Sequence, residues 1–205
     1  MGTACCAQRA DAVTSLPLDD APSVAAWLGQ RLEEEAIAYA IGGALALAAH
    51  GVPRMTNDVD LSVFVPEKEI ETLFDALERA GCLFDRHRAQ AEVSRFALFT
   101  VRCGRIGVDL FVAFHSHHHE AFLRRLRLPG PDGKERWFLS AEDLAILKLA
   151  LFRAKDQMDL ENLFAVQGAR LDVPYIQRWL WAIVPEGDPR RTALCELERR
   201  FLRTP

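Results

Sequence analysis

The sequence predicts an α+β protein, with an α/β part to about residue 137 and an α-helical part thereafter. Three observations carry this. A strongly periodic helical pattern over 67–81 lies between short apolar runs of strand character. Two of those runs, "DVDLSVFV" and "GVDLFVAF", share the tripeptide Val-Asp-Leu. Beyond residue 115 the apolar spacing turns helical and stays so.

The leader "MGTACCAQRADAVTSLPLDD" has no apolar h-region of a secretory signal, and residues 1–19 are expected to be disordered. Gly2 with Cys5 and Cys6 lacks the Ser or Thr that a lipidation motif needs at position 6. In "APSVAAWLGQRLEEEA", Val24, Leu28 and Leu32 repeat every four residues, a surface helix. "IAYAI" (37–41) is a short strand stopped by Gly42-Gly43, and "ALALAAHG" a short helix ending on Gly51. The strand from Asp58 follows. In "EKEIETLFDALERAG", Ile70, Leu73, Phe74 and Leu77 fall at i, i+3, i+4 and i+7, and Gly81 closes the helix. Strands are then expected at "CLFD", "SRFALFTVR" and "GVDLFVAF", the last two as a hairpin. "RRLRLPGPDGKER" (124–136) reads as a solvated loop with scattered charge. Ser140 with Asp143 opens a helix in the manner of a capping box, and Pro174 and Pro189 suit first turns of further helices. The expected division is 20–137 and 138–205.

Composition narrows the class. The chain has 205 residues, 26% of them charged, with a net charge of −4. Such a mildly acidic chain lacks the broad basic surface of non-specific nucleic-acid binding. No run approaches the roughly 18 apolar residues of a membrane span. Five cysteines without a C-x-x-C pair fit a reducing compartment, so a cytoplasmic location is expected.

The acids carry the chemistry. Asp58 and Asp60 are two apart on a strand and share a face, roughly 6–7 Å apart. Asp109 starts another apolar strand, where an unpaired carboxylate is costly to bury. Three such carboxylates suit Mg²⁺ or Mn²⁺, which also take substrate phosphates. Two such ions about 4 Å apart serve phosphoryl chemistry. Gly42 and Gly43, between strand and helix, would let a triphosphate approach the backbone.

"IGGALALAAHGVPRMTNDVDLSVFV" with the later "VDLFVAF" resembles the minimal nucleotidyltransferases of the DNA polymerase beta superfamily. Within it, "HGVPRMTNDVDL" is similar to the bacterial AbiE-type nucleotidyltransferase toxins. The resemblance covers 37–114 well and the helical tail more loosely. It implies a small mixed sheet flanked by helices, two divalent ions, and transfer of a nucleoside monophosphate from an NTP to an acceptor hydroxyl. By position, Gly42 and Gly43 would hold phosphates, and Asp58, Asp60 and Asp109 metal. An RNA (tRNA) 3′ end is the first acceptor, before a protein or small-molecule hydroxyl, and a cognate antitoxin is an expected partner if the chain is a toxin. The alternative is a catalytically silent nucleotide-binding or antitoxin-like module on the same fold.

On a helical wheel Leu144, Leu147, Leu151 and Phe152 gather on one side, with Lys148 in its middle. Lys155 and Asp159 return to within roughly 20° of Lys148 if the helix is unbroken. A Lys155–Asp159 bridge with a snorkelling Lys148 would account for this, as would a face that meets the cleft and holds triphosphate. The toxin-like "K…R.KD..D" pattern, met by Lys148, Arg153, Lys155, Asp156 and Asp159, favours the second. One of Asp156 and Asp159 would orient or deprotonate the acceptor, and Arg54 is a further phosphate ligand candidate. The histidines of "FHSHHHE", His115 to His119, are too close along one segment to converge on zinc by themselves. Trp137, Trp179 and Trp181 are expected to pack the helical part.

Overall fold

The computed structural model describes residues 19–112, 116–130 and 132–202. Residues 1–18 of the leader and His115 therefore lie outside the described residues, while Asp20 is the cap of the first helix.

Helix α1 (Ala21–Glu34) starts on Asp20, whose carboxylate accepts from the Ser23 N–H at 2.7 Å. It ends in a Schellman motif: Ala36 N–H donates to Glu33 O and Ile37 N–H to Leu32 O, with Ala36 at φ +57°. Strand β1 (Tyr39–Ile41) leads through Gly42 into α2 (Gly43–Ala49), and β2 (Asp58–Val63) follows a loop. Helix α3 (Ile70–Ala80) buries the predicted stripe Ile70, Leu73, Phe74 and Leu77 and stops at left-handed Gly81. Each of these side chains contributes about 1.5–3 kcal/mol through burial. Phe74 meets Phe99 edge-on, centroids 5.3 Å apart.

Between α3 and the hairpin the sequence reading is corrected. "CLFD" forms only an isolated bridge, Leu83 to Arg102, and Ser94–Phe96 of the expected strand belong to a helix, α4 (Arg86–Phe96). Asp85 caps α4 by accepting from the Arg88 N–H, and Ala89 and Val93, four apart, bury its one apolar edge. The Cys82 and Cys103 sulfurs lie 3.0 Å apart, buried beside that bridge. Strands β3 (Leu98–Cys103) and β4 (Ile106–Phe111) form the expected hairpin.

Helix α5 (Ser116–Arg124) is followed by a second hairpin where a loop was expected, β5 (Leu126–Pro129) and β6 (Glu135–Phe138). Several charges of 124–136, which suggested solvation, are paired: Arg136, 4% exposed, binds Asp132 at 2.6 Å, Arg124 binds Glu142, and Arg127 binds Glu33 and Glu135. Trp137 lies on β6 against the Arg125 guanidinium, 4.3 Å away, outside the helical part.

The described strands make one mixed sheet in the order β3-β4-β2-β1-β6-β5. Strand β2 runs parallel to β4, β1 antiparallel to β2 and parallel to β6. Four α-helices follow among the described residues: α6 (Ala141–Leu151), α7 (Ala154–Gln167), α8 (Val173–Ile183) and α9 (Pro189–Phe201). Ser140 caps α6 as predicted. Asp143, fully buried, accepts from Ser140, His117 and Tyr175 and so ties α5, α6 and α8 together. Among the described residues no helix is long and apolar enough to cross a membrane.

Candidate active site

Strand β2 is amphipathic in a specific way. Val59, Leu61 and Val63 are fully buried in the core, which turns Asp58 and Asp60 to the opposite face. The parallel register sets Asp60 beside Asp109 and Asp58 beside Gly107. Paired residues of neighbouring strands point to the same side of a sheet, so the three carboxylates share one face. Thr100, paired with Asp109 on β3, donates to its Oδ1 at 2.6 Å, and Thr56 donates to Asp58 Oδ1.

The Gly-Gly turn is built around Asp60. Gly42 N–H donates to the Asp60 carbonyl at 2.8 Å. Gly43 has φ +53°, and a Cβ there would fall onto the Asp60 carboxylate, so only glycine allows this approach. Burial raises the Asp60 pKa to about 6, and the Asp58 and Asp109 charges push the same way against Lys148 and Lys155.

Among the described residues no three acidic, histidine or cysteine side chains are gathered tightly enough to enclose an ion. The reason lies in the side chains: Asp58 is turned to Thr56, Asp109 to Thr100, and Asp60 lies on Gly43. The backbone register nevertheless aligns the donors, and burial first, then the Asp58 and Asp109 charges, disfavours the ionised Asp60 that a cation would stabilise. The donor set fits a hard divalent cation reached by side-chain rotation.

The helical side differs from the continuous helix expected. Phe152, at φ +50°, ends α6 and Arg153 begins α7, with its N–H donating to Asp156 Oδ2 at 3.1 Å. The break removes the wheel relation among Lys148, Lys155 and Asp159. Lys148, 7% exposed, instead reaches across it to Asp159 Oδ2 at 2.6 Å and Asp156 Oδ1 at 3.2 Å. Arg153 Nε holds Asp156 Oδ2 at 2.7 Å, and Arg54 Nε lies 3.5 Å from Asp159 Oδ1. The Lys155–Asp159 bridge, the less favoured of the two alternatives, is not formed among the described residues; the bridging lysine is Lys148.

For Asp156 burial opposes ionisation, but hydrogen bonds from Arg153 and Lys148 outweigh it and hold the pKa below the usual range. Both its oxygens are engaged, and Asp159 is pinned between Lys148 and Arg54. Either as proton acceptor is therefore disfavoured; their visible work is to hold cations. Lys155 is exposed, lies within electrostatic reach of Asp60, and makes no hydrogen bond or ion pair among the described residues. Arg153 likewise feels Asp60 as well as Asp156 and Asp159.

Three histidines take structural positions: His117 on Asp143, His118 on the Val63 carbonyl, and His50 on the Leu139 carbonyl. Thr56, Thr100, Arg102 and Gly107 were missed. Thr100 and Arg102 could have been found by pairing the predicted hairpin, which puts them on the Asp109 face.

A parallel pair of acid-bearing strands, a Gly-Gly turn against one of the acids and a cation-rich helix junction beside them define the class: a polymerase-beta-like nucleotidyltransferase fold. Residues 28–183 match the family described as nucleotidyltransferase of unknown function (DUF6036), and the chain belongs to that family. The solution structure of the antibiotic-resistance factor ANT(2″)-Ia is similar over 93% of this chain and 97% of that one, with a TM-score of 0.55 and 16% identity. The crystal structure of an antigenic nucleotidyltransferase-like protein from Paracoccidioides brasiliensis matches with a TM-score of 0.49 and 18% identity, over 90% of each chain. No curated protein matches the sequence.

Proposed function

We propose that the protein transfers a nucleoside monophosphate from an NTP to an acceptor hydroxyl, with Mg²⁺ or Mn²⁺ held by Asp58, Asp60 and Asp109. The observation that carries the reading is the register that sets Asp60 beside Asp109 with Asp58 on the same face. Divalent ions bound there, two by the usual requirement of this chemistry, would neutralise the triphosphate charge.

The chain's own residues divide the work. Gly42 and Gly43, against Asp60, form the triphosphate side, and exposed Lys155 with Arg153 and Arg54 faces the phosphates. Lys148 acts from beneath, fixing Asp156 and Asp159, which hold Arg153 and Arg54 in place. The acceptor oxygen attacks the α-phosphorus, the α–β bridging P–O bond breaks, and pyrophosphate leaves. Asp109, on the side of β3, receives the hydroxyl proton. An RNA 3′ end, including that of tRNA, is the favoured acceptor, and a toxin role with a cognate antitoxin follows if tRNA is modified.

The test is incubation with each labelled NTP, Mg²⁺ and total RNA or lysate, comparing wild type with Asp58→Ala and Asp109→Ala. Label on an acceptor with wild type alone is expected. Equal labelling by all three proteins refutes the assignment. No labelling, with equal nucleotide binding by all three, favours the silent-module alternative.

A further inference from the structure

The acids occupy only part of the open sheet face. Next to Asp109, edge strand β3 turns Leu98, Thr100 and Arg102 to that face, with Thr100 and Arg102 exposed, while Phe99, Val101 and Cys103 enter the core. The register runs Arg102, Gly107, Asp58 straight across three strands. A Cβ built on Gly107 meets no atom within 4 Å, so the space between Arg102 and Asp58 is open. Arg102 makes no side-chain hydrogen bond or ion pair among the described residues.

We infer that this strip of β3 and β4 is the acceptor subsite, with Gly107 as its floor and Arg102 binding a phosphate that flanks the acceptor hydroxyl. The inference rests on the transferase reading for the hydroxyl's position and adds the acceptor's charge. Neighbouring strands are about 5 Å apart. A hydroxyl at Asp109 and an anion at Arg102, one strand over and two residues along, match a sugar hydroxyl with its own phosphodiester close by. Lys155 and Arg153 act on Asp60 of β2, whereas Arg102 lies two strands away on β3, beyond Asp109. A polycationic acceptor such as an aminoglycoside would find no carboxylate on β3 to meet it. Guanidinium is well suited to phosphate because its fork can donate two parallel hydrogen bonds.

The probe is a short single-stranded RNA with a free 3′ hydroxyl, assayed with the full chain, Mg²⁺ and NTP. Arg102→Glu raises the KM for RNA about tenfold or more, the loss of one charged contact, and leaves the KM for NTP unchanged. Arg102→Lys restores part of the affinity. Arg102→Ala lowers the dependence of log affinity on log salt by about 0.7, one phosphate contact on a single strand. Gly107→Val, for which the backbone has room and no strain, abolishes RNA use while NTP binding persists. RNA kinetics unchanged in Arg102→Glu and Gly107→Val overturn the inference, as does a wild type that labels an aminoglycoside in preference to RNA. If wild type labels nothing, the transferase reading fails by itself. The subsite is then judged by fluorescence anisotropy of the labelled RNA: weaker binding by Arg102→Glu supports it, and equal or undetectable binding by wild type and variant overturns it.

Discussion

Replacing Asp60 by Asn removes the most strained charge of the cleft and should make the metal-free protein more stable while abolishing its activity. Burial and the neighbouring Asp58 and Asp109 move this carboxyl from its ordinary 3.8 to about 6. That displacement corresponds to about 3 kcal/mol of folding free energy spent on keeping the ionised form in the native state. The sign follows from proton binding: between those two values the native state binds more protons than the unfolded one. The cost is thus absent below pH 3.8, grows as pH rises, and is complete above about 6. With a chelator present at pH 8, Asp60→Asn should melt roughly 6–12 °C above wild type for a chain of this size. The gain should vanish at pH 4. Excess Mg²⁺ should raise the melting temperature of wild type and leave the variant unchanged, because the ligand binds only the native state. A variant no more stable than wild type at pH 8, or a gain equally large at pH 4, would refute the argument.

Lys148→Met should destabilise by about 3–5 kcal/mol, read by denaturant titration, because Asp156 and Asp159 stay buried without their shared cation. Lys155→Ala, at an exposed and unpaired side chain, should leave stability within about 0.5 kcal/mol while steady-state kinetics show a raised KM for NTP. Ala36→Gly should stabilise by about 0.5–1 kcal/mol in the same titration, since it puts glycine at the left-handed position of an intact Schellman motif.

Much of the sheet and its acids was legible because alternation and burial point the same way in β2 and β4: apolar residues at every second position leave the aspartates only one face. What could not be read was tertiary. Strand β6 looked like a loop because Arg136 is charged, and the Asp132 carboxylate, with the Glu135 carbonyl, makes its burial tolerable. Helix α4 hid because just Ala89 and Val93 pack, too few to give a periodic signal. The α6–α7 break turns on Phe152 taking a left-handed conformation that local sequence disfavours. That break redirects Lys148 from phosphate contact to the buried pair, so the pattern of cations was visible while their division of labour was not.

Strand β4 docks beside β2 only after the chain has travelled through α3, α4 and β3, which makes the defining contact of the cleft one of long sequence separation. Such contacts are slow to close and late to pay back their ordering entropy. A growing chain therefore holds Asp58 and Asp60 without Asp109 until β4 has emerged, and without Lys148 until α6 has followed. If the proposed transferase reading holds, an unfinished chain lacks the complete site and has no means of spending nucleotide.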